Sequence, residues 1–472
     1  MDILIPGVQM ASFGRTLERA DCCSGKECAA KLRQQKTRWA GSLGFIMASA
    51  GAAVGMGNLW RFPMLVGQNG GGAFLIVYLV CILLIGIPML LTEIALGKQT
   101  GKDAFGSYHS ISRRWGGVGI LAVVTSLIGL SYYTVLGGWV LRYLFVPLNT
   151  AGADAQGFFE SFTASPSLQI VFYLLTMGAT AAIVAGGVAK GIEKACRWMM
   201  PVLFVCLAVL AVRSCTLPGA GEGLSFFLRP DFSKITPKVW ILALGQVFFS
   251  LSVGAGAGIT YGSYLNRKEN IVRDAAVIAG FDTLAALIAG FAILPAVFSA
   301  GMNPQMGPGL LFVTLPKVFS GMPGGRVFCT LFFVLVLFAS LTTTIAFLEV
   351  VVSFAVRTFR IPRKKAALLC ASAATILGIP SALSFGVLKD ISLFGKTLFD
   401  LADFTVSNIC LPLSALLTCL FVGWVWKPGN AARSITEGGG IRLVFASAWA
   451  RWVQWVLPLL IAVIFIAGLL SF

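Results

Sequence analysis

The sequence predicts an all-α polytopic membrane protein, and three observations lead to this class. The chain has 472 residues, of which 57% are hydrophobic and only 12% are charged, with a mean hydropathy of +0.86. This composition is typical of polytopic membrane proteins and argues against a soluble globular domain. Long apolar runs recur along the whole chain, and two of them are interrupted by glycines at matching positions.

Eleven apolar runs are long enough to cross a bilayer, for which a helix needs about 20 residues. They are predicted at 43–67, 73–97, 117–146, 167–187, 195–215, 239–264, 271–300, 326–356, 364–384, 397–425 and 446–471. We expect five regions, namely a cytoplasmic tail (1–38), a first five-helix half (39–215), an extracellular loop (216–238), a second five-helix half (239–425) and a peripheral eleventh helix (426–472).

The positions of the basic residues predict the orientation. Of the 36 Lys and Arg, 26 lie in segments that are cytoplasmic if the N-terminus is inside. An odd number of spans then places the C-terminus on the outer side of the membrane. We expect the protein in the cell's inner (plasma) membrane. The net charge of +17 is divided among these short segments, which indicates attraction to anionic lipid and argues against nucleic-acid binding.

The first predicted span is interrupted between Gly51 and Asn69, where the sequence reads GAAVGMGNLWRFPMLVGQN. Non-helical backbone at membrane depth is tolerated only where it is buried in protein or lines a cavity. The freed amides and carbonyls can bind an anionic group and a cation, so the segment is a candidate ligand site.

The sixth predicted span carries a second interruption, QVFFSLSVGAGAG, from Gln246 to Gly258. Either glycine run alone could reflect close helix packing. Two interruptions five helices apart favour an inverted repeat with a ligand site at its interface.

The histidine and cysteine residues form no pattern that indicates an enzyme. The single His109 lies in a predicted loop, and no Ser/His/Asp group or metal-ligand spacing is present. Cys22, Cys23 and Cys28 lie in the predicted cytoplasmic tail, where a small metal site is an open alternative to free thiols.

Four longer motifs resemble the neurotransmitter:sodium symporter family. They are AGAAVGMGNLWRFPMLVGQNGGGAFLIVYL (50–79), GQVFFSLSVGAGAGITYGSYL (245–265), FASLTTTIAFLE (338–349) and FGKTLFDLADFTVSN (394–408). The eleven-span form is similar to the bacterial amino-acid transporters of the leucine, tryptophan and tyrosine type. The resemblance implies a fold of two inverted five-helix repeats with discontinuous helices 1 and 6, two co-transported Na⁺ ions, and a monomer or homodimer that imports its substrate by alternating access.

The resemblance also implies a substrate site at the two interruptions, where amides, hydroxyls and carbonyls would bind an amino-acid zwitterion. The implied substrate-binding residues are Ala53, Met56, Gly57, Gly129, Tyr133, Phe249, Ser252, Ala255, Thr343 and Phe347. Tyr133 has an alternative interpretation as an interfacial aromatic residue. Ser250 and Ser252 have another, as hydroxyls bonded to their own helix.

Two sodium sites follow from the same resemblance, because Na⁺ is a hard cation that prefers oxygen ligands. The first would use Ala53, Asn58, Ser250 and Asp282 together with the substrate carboxylate, and this shared ligand would couple the two binding events. The second would use Gly51, Val54, Ala339, Thr342 and Thr343. The threonine run could alternatively serve helix packing alone.

One departure from the family concerns chloride. Asp282 stands where the leucine transporters have asparagine, and Ala286 stands where chloride-dependent relatives have serine, near Tyr78 and Gln246. An intramembrane carboxylate is a functional hypothesis by default. We interpret Asp282 as the negative charge that replaces the anion, so no chloride is expected.

The resemblance further implies an outer gate and an inner gate. The outer gate would contain Arg61, Asp403, Tyr133 and Phe249, with Arg61 and Asp403 as an ion pair. The inner gate would contain Lys36, Trp39, Ser263 and Tyr264. The acidic partner expected for Lys36 is replaced by Arg357, so the sequence leaves the acid of this gate open. Glu93 is expected to hold the interrupted sixth helix, and Glu349 is a further intramembrane carboxylate.

The pocket residues predict a hydrophobic or aromatic L-amino acid as substrate, such as tryptophan, phenylalanine, tyrosine or leucine. Gly129 and Ala255 leave space, Phe347 adds an aromatic wall, and a charged substrate side chain would be buried without a partner. Two alternatives remain open at this point, namely a transporter of another small amine such as an indole derivative, and a substrate sensor on the same fold.

Overall fold

The computed structural model describes residues 38–146, 154–302, 309–437 and 442–470. Within these ranges the chain is almost entirely helical, and strand pairing is limited to two isolated bridges, one of them between Gly71 and Pro230. The predicted all-α class is therefore confirmed. The tail cysteines and Lys36 lie outside the described residues.

The helices of the first half follow one another closely. They are α1 (Ser42–Ala53), α2 (Gly57–Gln68), α3 (Gly72–Thr100), α4 (Ala104–Ile111), α5 (Arg113–Leu144), α6 (Ala155–Ala164), α7 (Pro166–Ala185) and α8 (Val188–Cys215).

The described part of the chain after α8 contains ten further helices of six residues or more. They are α9 (Ala220–Leu228), α10 (Pro237–Ser250), α11 (Ala257–Gly262), α12 (Ile271–Ser299), α13 (Leu310–Ser320), α14 (Gly325–Phe359), α15 (Arg363–Leu383), α16 (Leu398–Trp426), α17 (Pro428–Thr436) and α18 (Val444–Leu469).

Nine helices in the described ranges are long and apolar enough to cross a membrane, and the pair α1 and α2, bent by 48°, makes a tenth span. The eleventh predicted span, 239–264, corresponds to α10 and α11, which are 14 and 6 residues long. Each is too short to cross a bilayer alone. The count of eleven therefore depends on joining α10 and α11 across their interruption.

The centre of the bundle is formed by α1, which packs against α8, α12 and α14. Nine of its twelve residues are buried, and most are glycine, alanine or serine, which allow neighbouring helices to approach closely. The long helix α14 also packs along α5 and α15. This arrangement surrounds the first interruption with helices on several sides.

The two interruptions have different backbone geometry. After α1 ends at Ala53, the amide of Gly55 donates to the Ala53 carbonyl at 2.9 Å before α2 begins. Between α10 and α11 the chain adopts positive φ angles at Ser252 (53°), Gly254 (92°) and Gly256 (77°). A side chain at Gly254 would place its Cβ 2.4 Å from the carbonyl oxygen of Leu411, so glycine is required there on steric grounds.

Candidate functional site

A buried polar cluster joins the two interruptions. The Asn58 amide donates to a carboxylate oxygen of Asp282 at 2.8 Å and to the Asp282 carbonyl at 2.9 Å. The hydroxyl of Ser250 donates to the same carboxylate at 2.6 Å, and the hydroxyl of Tyr78 donates to its other oxygen at 3.2 Å. Asn58, Tyr78 and Asp282 are fully buried, so Asp282 is held by side chains from α2, α3 and α10.

The structure thus brings together the three side chains predicted for the first sodium site. Asn58 and Ser250 each contribute an oxygen beside the Asp282 carboxylate. The Ala53 carbonyl lies in the same interrupted segment as Asn58. Ser250 bonds across to α12 and α2, contrary to the alternative in which it bonds back to its own helix. A cluster of hard oxygen atoms around one carboxylate suits a small monovalent or divalent cation.

The residues predicted for the second sodium site lie where α1 meets α14. A Cβ at Gly51 would lie 3.1 Å from Thr342 Cβ, so the two helices touch at this point. The hydroxyls of Thr342 and Thr343 both donate to the Ala339 carbonyl at 3.1 Å. These donations leave the oxygen lone pairs of both threonines available as acceptors.

A narrow cavity lies beside the two interruptions, with a volume of about 10 Å³. This is about the space that one water molecule needs. Its lining residues include the predicted Ala53, Gly57, Tyr133, Phe249, Ser252, Thr343 and Phe347, together with Ala52, Gly55, Tyr132, Ser250, Val406 and Leu411. The lining contains no charged side chain.

Three of the four aromatic rings that line this cavity lie close together. The ring centroids of Tyr133 lie 6.2 Å from Phe249 and 6.0 Å from Phe347. A Cβ at Gly57 would lie 2.9 Å from the Phe249 ring, so the backbone of α2 lies directly against it. The amides of Met56 and Gly57 lie close to the Tyr133 hydroxyl, and Gly57 and Tyr133 both line the cavity.

Three predicted substrate-binding residues are buried but absent from the lining, namely Met56, Gly129 and Ala255. The reason at Gly129 is visible, since a Cβ there would lie 3.1 Å from the Phe347 ring. Phe347 therefore occupies the space that Gly129 leaves, and the expected widening of the pocket is offset. At Ala255 the carbonyl accepts a hydrogen bond from Ser126 at 2.6 Å.

Some lining residues were not found from the sequence. Val406 and Leu411 come from α16, and neither carries a polar group that would mark it as functional. Tyr132 was not predicted, yet its hydroxyl donates to Asp403 at 2.9 Å. The Ser252 hydroxyl also has an unexpected partner, because it donates to the Ala52 carbonyl at 3.2 Å and links the two interruptions directly.

The predicted outer gate is assembled differently from the prediction. The guanidinium of Arg61 lies 4.6 Å from the ring centroid of Phe249, in a cation–π contact. Asp403 instead accepts hydrogen bonds from Tyr132 and Ser407. In the described residues the ion pairs are Glu193–Arg197 and Glu349–Arg363, so Arg61 and Asp403 do not form the direct pair that was expected.

At the opposite end of the bundle, Trp39 lies just before the start of α1 and contacts the segment that follows the second interruption. Its indole nitrogen donates to the Tyr261 carbonyl at 3.0 Å, and its backbone amide donates to the Tyr264 carbonyl at 3.4 Å. Tyr264, also predicted for the inner gate, contacts the Trp39 ring with 6.1 Å between the ring centroids. Lys36 lies outside the described residues.

Tyr264 belongs to an inner cluster with Glu349, Arg357 and Arg363. Glu349 is fully buried, accepts from the Tyr264 hydroxyl at 2.6 Å and forms a two-bond ion pair with Arg363. Arg357 donates to the Gly101 carbonyl at 2.6 Å and to Ser263 at 3.4 Å.

Nearby Asp103 lies outside the spans. Burial raises the pKa of this carboxyl, while the Gly106 amide and the Arg357 guanidinium oppose the shift. Arg357 therefore acts here as a cation that contacts backbone and loop groups.

Glu93, on α3, forms a hydrogen bond with the backbone of the second interruption. Its carboxylate accepts from the Gly254 amide at 2.7 Å, and a Cβ at Gly258 would lie 2.7 Å from its other oxygen. This buried side chain therefore bonds the non-helical backbone before α11, in the position that the resemblance implied.

Comparison with known proteins identifies the family. The sequence profile of the Sodium:neurotransmitter symporter family matches residues 36–157 and 158–472. The chain belongs to this family. It is 39% identical to an uncharacterized sodium-dependent transporter, YhdH, of Bacillus subtilis, covering 93% of this chain and 99% of that protein. It is 40% identical to an uncharacterized sodium-dependent transporter of Haemophilus influenzae, covering 92% and 99%.

A solved structure is also similar. The crystal structure of MhsT in complex with L-phenylalanine superposes with a TM-score of 0.85 at 42% identity, covering 92% of this chain and 99% of MhsT. Family membership makes this chain a sodium-dependent symporter and a multi-pass membrane protein, and not an enzyme. The predicted resemblance and the predicted all-α membrane fold of this family are confirmed.

Proposed function

We propose that the chain is a sodium-coupled importer of large apolar or aromatic L-amino acids, working by alternating access without chloride. The observation that carries the substrate assignment is the uncharged cavity between the two interruptions, walled by Tyr133, Phe249 and Phe347. Aromatic walls pair favourably with an aromatic ring, whereas a charged side chain would be desolvated without a partner. MhsT, which is 42% identical, was crystallised with L-phenylalanine.

The polar end of the cavity suits the backbone of an amino acid. The amides of Met56 and Gly57 and the Tyr133 hydroxyl are donors for a carboxylate. The carbonyls of the second interruption, which Ser252 ties to α1, are acceptors for an ammonium group. A substrate placed in this way contacts both interrupted helices. Its binding would therefore favour a conformation in which the two helices lie close together.

We place the first co-transported Na⁺ among Ala53, Asn58, Ser250 and Asp282, and the second among Gly51, Val54, Ala339, Thr342 and Thr343. The mutual contacts of Asn58, Ser250 and Asp282 support the first placement. The close approach of Gly51 to Thr342 supports the second. A substrate carboxylate that completes the first site gives each ligand a share in the other's binding free energy, which is the coupling that symport requires.

Chloride independence rests on the partners of Asp282. Hydroxyls of Tyr78 and Ser250, which would bind an anion, both donate to the Asp282 carboxylate. The amide of Gln246 donates to the Gly57 carbonyl at 3.0 Å, and Ala286, at the position of the serine, has no side-chain donor and is fully buried. By contrast, the taurine transporter of the dog, 28% identical to this chain, is named as sodium- and chloride-dependent. The fixed carboxylate takes the place of the anion.

For the membrane orientation, the excess of Lys and Arg predicts a cytoplasmic N-terminus in the inner membrane. In this orientation the inner cluster faces the cytoplasm, and Arg61 and Asp403 face the outside.

The direct test is uptake of radiolabelled L-phenylalanine and L-tryptophan into proteoliposomes under an inward Na⁺ gradient, with choline replacing Na⁺ as control. We expect accumulation that needs Na⁺ and that unlabelled aromatic amino acids inhibit. Inhibition by tryptamine but not by the amino acids would favour an amine substrate. Sodium-dependent binding without uptake would favour a sensor.

A second test addresses chloride. Replacement of chloride by gluconate should leave uptake unchanged, and a strict chloride requirement would refute the role given to Asp282.

Asp282→Asn should raise the Na⁺ concentration needed for half-maximal uptake by at least about tenfold, since the ion loses its charged ligand. Asp390→Asn is the matched control, because Asp390 is exposed and far along the chain from both interruptions.

A further inference from the structure

A crevice of about 580 Å³ opens on the outer face of the bundle where α7 ends and α8 begins. Its lining residues come from these two helices and the turn between them, and they are Ala182, Ile183, Gly186, Lys190, Gly191, Lys194, Ala195 and Trp198. None of them belongs to the substrate cavity or to either predicted sodium site.

Glycines and alanines create the crevice. A Cβ at Gly191 would lie 2.1 Å from the Ile183 carbonyl oxygen, and a Cβ at Gly186 would lie 3.2 Å from the Cα of Gly191. The two helix ends therefore touch through their backbones. The small side chains of Ala182 and Ala195 leave the space between them unfilled.

The rim of the crevice is positively charged. Lys190 and Lys194 are both exposed and lie four residues apart, so they extend from the same side of the helix. Neither forms an ion pair with any described residue. The intervening Glu193 is buried and turned away, where it accepts from the Ala40 amide and pairs with Arg197.

The wall of the crevice is apolar and faces lipid. Trp198 is 63% exposed, although it lies on a membrane-spanning helix. Its ring contacts Phe338 in an edge-to-face arrangement, with 5.3 Å between the centroids. Tryptophan at the boundary of the hydrocarbon region is favoured beside lipid headgroups. The crevice thus combines two cations at its rim with an apolar wall next to them.

We propose that this crevice binds a phospholipid with an anionic headgroup, with its phosphate between Lys190 and Lys194 and an acyl chain along Ala195 and Trp198. Basic pockets between membrane helices are suited to such headgroups, and the cytoplasmic leaflet is rich in them. The leaflet assignment rests on the proposed orientation, whereas the binding itself does not depend on orientation or on transport.

The test uses the full-length protein in phosphatidylcholine nanodiscs that contain a minor fraction of phosphatidylglycerol in both leaflets. Lipids that remain bound are counted by native mass spectrometry for the wild type, for Lys190→Gln/Lys194→Gln and for Lys364→Gln/Lys365→Gln. The last variant removes the same charge from exposed lysines at the start of α15. We expect wild type and the α15 variant to retain phosphatidylglycerol in preference to phosphatidylcholine, and the crevice variant to lose at least about fivefold in apparent affinity.

A second measurement locates the lipid. Phosphatidylglycerol with brominated acyl chains should quench a component of tryptophan fluorescence that is absent in Trp198→Phe, and soluble glycerol phosphate should not compete with it. Equal retention of the two lipids by wild type would overturn the proposal. So would an equal loss in both lysine variants, quenching unaffected by Trp198→Phe, or displacement by glycerol phosphate.

Discussion

The two ends of the bundle are closed by contacts of different kinds. At the inner end, charged side chains bond across helices, as in the pair Glu349–Arg363 and the bond from Arg357 to Gly101. At the outer end Arg61 lies over the Phe249 ring, and Asp403 accepts from a tyrosine hydroxyl. Removing one partner of a buried ion pair costs about 3–5 kcal/mol, whereas a cation–π contact contributes about 0.5–2 kcal/mol. Loss of a single side chain is therefore expected to cost more at the inner end than at the outer end.

Glu349→Gln should have the largest effect, because it leaves the mostly buried Arg363 without its counter-charge. We expect the free energy of unfolding to fall by about 3–5 kcal/mol, measured by thermal unfolding in detergent micelles. Glu222→Gln, at an exposed glutamate of α9, serves as the control. A loss no greater than that of the control would mean that the inner pair does not stabilise the closed end.

Gly44→Ala should weaken the inner end through a second contact. The added Cβ would lie 2.2 Å from Glu193 Cδ, so the carboxylate must move and lose its 2.9 Å bond from the Ala40 amide. A hydrogen bond to a charged group contributes about 1.5–3 kcal/mol, and we expect a loss in that range.

Hydrogen exchange read by mass spectrometry should report this change at the Ala40 amide. Gly41→Ala is the matched control, because a Cβ there has nothing within 4 Å. If the Ala40 amide stays equally protected in both variants, the link between Glu193 and the start of α1 is not significant.

Arg61→Gln should have a smaller effect at the outer end, where it removes the contact with Phe249. The expected loss is about 0.5–2 kcal/mol in the same unfolding measurement. Arg229→Gln, at an exposed arginine before α10, controls for the lost charge. A loss larger than that of Glu349→Gln would reverse the ranking of the two ends.

The smallest expected quantity is the coupling between Arg61 and Asp403. Because these side chains do not pair directly, a double-mutant cycle with Arg61→Gln and Asp403→Asn should give a coupling below about 0.5 kcal/mol. The corresponding cycle for Glu349 and Arg363 should give a coupling of about 3 kcal/mol. A strong coupling at the outer end would show that the two residues form the ion pair that was predicted from the sequence.

Much of the fold and the centre of the site could be predicted from the sequence. Glycines and polar residues inside apolar runs located both interruptions, because such residues are costly in a continuous membrane helix. Asn58, Ser250 and Asp282 were expected together, and the structure places them in mutual contact. Their role as Na⁺ ligands remains a prediction.

The contacts between distant helices could not be predicted in the same way. Arg363 was read as one of the basic residues that set the orientation, and nothing in its spacing from Glu349 indicated a pair across the turn between α14 and α15. The packing of Phe347 on Gly129 likewise depends on how α14 lies against α5. Side-chain partners across helices follow from packing, which hydrophobic periodicity does not specify.

The bond from Arg357 to Gly101 has a genetic consequence, because its acceptor is a carbonyl of the main chain. Every amino acid carries that carbonyl, so no substitution at position 101 deletes the acceptor, although the φ of 61° at Gly101 disfavours other residues. A defect caused by losing Arg357 therefore has no charge-swapped suppressor at that position. The pair Glu349–Arg363 is made by two side chains, so its defects are open to rescue by reciprocal exchange.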